Sequence, residues 1–168
     1  MKEIKNIVPK ELLVHIGDMT VSFATLESYM QLVFKALVDK ENIEIGDILG
    51  TYLYFTNLRA ELISLYKARH GEDTNYHVLK ELMIKAGKIE EERNRITHSS
   101  WATGETPDSV TRIKMTAREK HGFVVQVQPY DADTLSSFTA NIRSLSDEIF
   151  NFWMKLLGID LTIPLRDG

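Results

Sequence analysis

Arg93, Asn94 and His98 are the residues whose types and spacing suit chemistry on an anion. They close a stretch, Glu90-Glu91-Glu92-Arg93-Asn94-Arg95-Ile96-Thr97-His98, that follows Leu79, Leu82, Met83, Ala86 and Ile89 at helical spacing. At about 100° per residue, Arg93 falls near the centre of that apolar stripe. A guanidinium cannot shed its charge, so burying it without a partner is costly. Three readings follow: Arg93 pairs with an acid in the core, faces an interface, or lines a site that binds an anion. His98 carries the side chain best suited to proton transfer near neutral pH.

The spacing also constrains how the two groups can cooperate. Five residues turn a helix by about 500°, leaving Arg93 and His98 about 140° apart. Either the helix ends or bends before His98, or a second copy of the chain completes the site. In the plainer structural reading, Arg93 pairs with a core acid such as Glu27, and His98 is a polar residue near a helix C-terminus, where a cation is favoured. Glu91 and Arg95, four apart, suit a surface ion pair.

Arg93-Asn94-x-x-x-His98 resembles the Arg-x4-6-His motif of the HEPN superfamily, small all-α domains of which many are metal-independent ribonucleases. The likeness covers residues 93–98 as chemistry and most of the chain as architecture. It implies an endoribonuclease in which the 2′-hydroxyl attacks the adjacent phosphorus and leaves a 2′,3′-cyclic phosphate. His98 would move a proton and Arg93 would stabilise the phosphorane oxygens. Asn94 would bind the phosphate or orient His98, with Thr97 or Ser99 assisting. It implies a homodimer with both motifs at the interface, and an acidic residue on the first helix near the motif, here Glu27. Arg59 would add positive charge, although a snorkelling arginine is the plainer reading. Trp101 could stack on a base; a core or interface role is plainer. The implied partners are RNA and a cognate antitoxin or small nucleotidyltransferase, in a toxin–antitoxin, phage-defence or stress setting, with no cofactor. The alternative is a catalytically inactive HEPN-like interaction or regulatory module.

The elements that must position these residues are legible in the periodicity. Leu12, Ile16, Met19, Phe23, Leu26, Met30, Val33 and Leu37 predict a long first helix over 9–38, with Gly17 inside it suggesting a close helix contact. A second helix is expected over 45–68, with Ile48, Leu49, Tyr52, Phe55, Leu62, Ile63 and Tyr66 on its inner face. The third spans 74–98, capped by Asp73 or Thr74 after a stop at Gly71. The fourth spans 131–157, capped by Asp131 or Asp133 and stopped by Gly158. Between the third and fourth, residues 110–128 alternate with period two around Arg118–Gly122, predicting a β-hairpin. Ile113, Met115 and Ala117 should face the helices; Arg112, Lys114 and Thr116, with Lys120, should form a charged outer face. The expected fold class is all-α: an up-and-down four-helix bundle, HEPN-like, forming a single domain over 1–168.

Composition sets the outer bounds. The chain has 168 residues, 43% apolar and 26% charged, which suits one globular domain. It has no cysteine, which excludes disulfides, thiolate metal sites and cysteine nucleophiles. His15, His70, His77, His98 and His121 form no helical ligand pair, so no metal site is expected. Walker, dinucleotide and serine-hydrolase signatures are missing. Met1-Lys2-Glu3-Ile4-Lys5-Asn6 carries no apolar signal region and no apolar run suits a membrane span, so a cytoplasmic protein is expected. The net charge of −4 argues against broad phosphate binding, though not against a small basic cleft.

Overall fold

Side chains that repeat at threes and fours share one face of a helix, and that face is the one a helix buries. The computed structural model describes residues 8–39, 41–106, 109–118 and 122–159. Among them are five helices and three strands: α1 (Lys10–Asp39), α2 (Ile43–Gly50), α3 (Phe55–His70), α4 (Thr74–Thr97), β1 (Ser100–Thr103), β2 (Val110–Arg118), β3 (Gly122–Tyr130) and α5 (Ala132–Leu156). The chain is therefore mostly helical with one small antiparallel sheet. None of the described helices is long and apolar enough to cross a membrane.

The chain divides into two compact units: Met1–Ser22 with Glu91–Asn141, and Phe23–Glu90 with Ile142–Gly168. In the second unit, Leu26, Met30, Val33 and Leu37 of α1, Leu58 and Leu62 of α3, Leu79 and Ala86 of α4, and Ile142 and Ile149 of α5 are all buried. Each large apolar side chain removed from water contributes about 1.5–3 kcal/mol. Ring contacts join α1 to α3 through Phe23 and Phe55, at 4.7 Å, and α3 to α5 through Tyr66 and Phe152, at 5.9 Å. Asp73 accepts the Tyr76 N–H at 2.8 Å and so caps α4, and Gly71 ends α3 at φ 76°.

The single second helix expected over 45–68 is broken in two. α2 ends at Gly50, Leu53 N–H bonds back to the Gly50 carbonyl at 3.0 Å, and Tyr54 is extended before α3 begins at Phe55. Phe55, Leu62 and Tyr66 are buried as expected, but Ile48, Leu49 and Tyr52 are exposed. The reason lies in the glycines. A Cβ on Gly46 would stand 2.8 Å from the Lys35 Cα, so α2 rests on α1 by its glycine face and turns its apolar stripe outward. Gly17 has no such role: a Cβ there would meet nothing within 4 Å.

In the first unit, the expected hairpin is part of a three-stranded sheet in the order β1-β2-β3. Register pairs Trp101 with Arg112, Arg112 with Gln128, and Val110 with Tyr130, which sets those residues on one face. Val110, Arg112 and Tyr130 are buried, whereas Ile113 is half-buried and Val125 and Val127 on the other face are exposed. The inward face is thus the opposite of the expected one. Tyr130 and Val110 supply its apolar surface, and the aliphatic stem of Arg112 extends it. Lys114 is exposed, while the side chains of Met115, Thr116 and Ala117 and the whole of Lys120 and His121 lie outside the described residues. Pro129 sits within β3, an edge strand, where a missing N–H is tolerated. Asp131 caps α5 by accepting the Thr134 N–H at 2.8 Å, and Gly158 follows its end at φ 76°.

Candidate functional site

The end of α4 carries the motif. Ile89 and Ile96, seven apart, are buried on one stripe, and Arg93 between them is half-buried. Asn94 is half-buried and His98 is exposed. The helix is assigned to Thr97, yet the His98 N–H still bonds the Asn94 carbonyl at 3.0 Å. Helical register therefore continues through His98, and the ending does not swing the imidazole round toward Arg93. The Thr97 hydroxyl donates to the Arg93 carbonyl at 2.9 Å and the Ser99 hydroxyl donates to the Arg95 carbonyl at 2.5 Å. Both hydroxyl protons thus go to backbone carbonyls one turn back, and that of Arg95 is among the last four, which a helix leaves without an internal donor.

The neighbouring charges are already committed. Arg95 is held by Glu91 and, at 3.1 Å, by Glu92, and burial works against the favourable pull of both acids on its charge. Glu92 also accepts the Tyr130 hydroxyl. Burial, reinforced by that carboxylate, pushes the Tyr130 phenol well above its ordinary range, so it stays protonated and donates. Trp101 is half-buried and meets Tyr130 edge-on, with ring centroids 5.4 Å apart.

Arg112 is the residue that sequence reasoning missed. It is only 3% exposed, donates to Gln128 Oε1 at 3.1 Å and to Ser99 Oγ at 3.4 Å, and its Nε has no hydrogen-bond partner among the described residues. Both partners are uncharged, an unusual setting for a buried cation. The only sequence signal was Arg112's place two residues from Val110 on one strand face.

The other two expected site residues belong to the second unit. Glu27 is half-buried on α1. Arg59 is half-buried on α3, with its Nε 3.8 Å from Glu90 Oε2, and Glu90 also accepts the Thr56 hydroxyl at 2.8 Å. Gly87 makes room for that guanidinium: a Cβ there would fall 1.6 Å from Arg59 Nη1. Arg59 therefore has a carboxylate of its own. Of the six expected residues, Arg93, Asn94, His98 and Trp101 share one unit, and Glu27 and Arg59 the other.

Compared with known proteins, the chain matches no family model, no curated protein and no solved structure. Among the described residues, no group of three or more His, Asp or Glu side chains is arranged to hold a metal ion. The second unit has a cleft of ≈ 490 Å³ whose walls include Asp39, Glu41, Arg69 and His70, and Arg69 there donates to the Val38 carbonyl. What the α4 end offers chemically is an exposed imidazole and a half-buried permanent cation within six residues.

Proposed function

We propose that the chain is a HEPN-type, metal-independent endoribonuclease, built on an up-and-down four-helix plan in which α2 and α3 together stand for the second helix. The supporting observation is the end of α4, where the fixed charge of Arg93 lies part-way into the apolar stripe and His98 is open to solvent. In the proposed reaction, the 2′ oxygen bonds to phosphorus as the 5′ oxygen leaves, giving a 2′,3′-cyclic phosphate. His98 handles a proton of that exchange, Arg93 offsets the charge gathering on the phosphorane oxygens, and Asn94 holds the phosphate or the imidazole.

The angle between the two groups is the reason to propose a homodimer. With helical register kept through His98, the imidazole and guanidinium of one chain diverge by about 140°. A second copy brings His98 of one subunit to Arg93 of the other. The proposed setting is a toxin or a defence or stress effector, with an antitoxin or nucleotidyltransferase as partner. A second reading, an inactive HEPN-like interaction or regulatory module, is favoured by the net charge of −4, which repels a phosphate backbone over most of a surface.

RNA cleavage by the purified protein in EDTA separates the two. The nuclease reading expects cyclic-phosphate ends that disappear in His98→Ala and in Arg93→Ala with the fold retained. Cleavage that survives both substitutions removes the assignment, and no cleavage at any RNA concentration favours the module.

A further inference from the structure

The sheet is the basic part of an acidic chain. β1, β2 and β3 contain Arg112, Lys114 and Arg118 and no Asp or Glu, so the strands carry +3 and the rest of the chain, −4 − 3, carries −7. Local charge of that kind draws an anion even where the total repels it. β1 begins two residues after His98, so the sheet and the imidazole leave the same turn of chain. His98, Ser99, Arg112, Lys114 and Gln128 all belong to the first unit.

One face of that sheet changes character along its length. Val110 and Tyr130 are buried; the next row across, Trp101, Arg112 and Gln128, is buried or half-buried; the row after that, Lys114 and Gln126, is exposed. Strand geometry places Lys114 about 6.6 Å beyond Arg112 on the same face. Register sets Ser100 opposite Ile113, so Lys114, one step past that pair, is level with Ser99. The Arg112 bond to Ser99 Oγ shows that residue 99 turns to this face as well. Lys114 has no ion-pair partner among the described residues. Gln128 commits its Oε1 to Arg112, which turns its amide N–H pair away from the guanidinium.

We propose that Lys114 and the amide donors of Gln128 seat a phosphate of single-stranded RNA beside the one on which His98 acts. The proposal rests on the ribonuclease reading for the class of ligand, and adds the part of the site that holds the strand. Lys114 supplies the charge and Gln128 two directed donors, a pairing that fixes a backbone without reading sequence. A single strand suits this seat, because the second strand of a duplex would bring further phosphates over a chain that is otherwise acidic. Arg112 is a positioning residue. At 3% exposure it touches no RNA, and it fixes which way the Gln128 amide faces. A glutamate at 128 would give the buried guanidinium a counter-charge but would remove both donors.

Fluorescence anisotropy with a labelled single-stranded 2′-O-methyl RNA, which lacks the attacking hydroxyl, reads binding without cleavage. Lys114→Gln should raise Kd roughly five- to tenfold and make the log–log salt slope shallower by about 0.7, the share of one phosphate. Lys114→Arg should bind like wild type. Lys80→Ala, which removes an exposed charge from α4 in the other unit, should leave Kd within about twofold. Gln128→Glu should raise the thermal midpoint by about 2–4 °C, because Arg112 gains a carboxylate, yet weaken binding roughly tenfold or more. A purely structural glutamine would not move stability and binding in opposite directions. This pattern in a chain that leaves unmodified RNA uncut supports the seat and removes the nuclease reading. Cleavage in EDTA with a Kd unmoved by Lys114→Gln or by Gln128→Glu keeps the nuclease reading and overturns the seat. A wild-type chain that binds no RNA at high micromolar concentration also overturns it, as does a Gln128→Glu midpoint below the parent's.

Discussion

Arg112 Nη1 donates a hydrogen bond to Ser99 Oγ across 3.4 Å, tying the middle of β2 to the residue that follows His98. The guanidinium is buried, so removing it strips two partners at once and opens a void. Arg112→Ala should cost about 2–4 kcal/mol of stability. Arg112→Met keeps most of the volume and removes the desolvated charge, so it should lose much less. Urea unfolding of the two variants checks the order.

Tyr130 and Glu92 yield a prediction about pH. The folded pKa of Tyr130 lies above its ordinary value because the phenol is buried and donates to a carboxylate. Its contribution is therefore complete below about pH 10, the unfolded value, and is lost as pH rises from there toward the folded value. Tyr130→Phe should lose about 1 kcal/mol at neutral pH and show a flatter decline than wild type on the alkaline side. Thermal unfolding from pH 7 to 11 would show the curves converging; parallel curves would remove the coupling.

Two glycines of helical segments should respond to alanine with opposite signs. Gly17→Ala places a methyl in open space and should stabilise by about 0.5–1 kcal/mol. Gly46→Ala drives a Cβ toward the Lys35 backbone and should destabilise by about 1–3 kcal/mol despite the better helix former. Midpoints in guanidinium chloride give both signs in one experiment.

The cap of α5 makes an acid-side prediction. Asp131 sits below its ordinary carboxylate range because the side chain and backbone of Thr134 hydrogen-bond its charged form. Its stabilisation is present above the unfolded Asp value and fades as pH falls through the folded one. Asp131→Ala should cost about 1 kcal/mol at pH 7 and nearly nothing at pH 2.

For the proposed chemistry, expression itself is a readout. If the chain cleaves cellular RNA, induction should arrest growth, and His98→Ala should relieve the arrest at equal protein level. Arg93→Lys keeps the charge but loses the planar fork, so it should retain a small fraction of cleavage, about 1–10%. Growth arrest that persists in His98→Ala would place toxicity elsewhere.

Local rules were sufficient for the long helices. Periodicity gave 9–38, 74–98 and 131–157, against Lys10–Asp39, Thr74–Thr97 and Ala132–Leu156. The caps at Asp73 and Asp131 and the stops at Gly71 and Gly158 followed from side-chain and backbone chemistry within a few residues. The chemistry-bearing types at 93, 94 and 98 were equally legible, because a fixed cation and an imidazole are properties of single residues.

Periodicity names the residues that share a face but is silent on which face meets a neighbour, and that choice belonged to tertiary structure. Nothing local distinguishes the glycine side of α2 from its Ile45, Ile48 and Leu49 side; the close approach to Lys35 decides it. Nor does alternation tell whether β2 buries Ile113 or Arg112. Tyr130, Gln128 and Ser99 decide that, from 13 to 18 residues away from Arg112 along the chain, by giving the guanidinium uncharged partners and the sheet an aromatic base. Sequence spacing fixes angles about one helix or strand axis, while burial is settled by contacts between elements that the spacing does not contain.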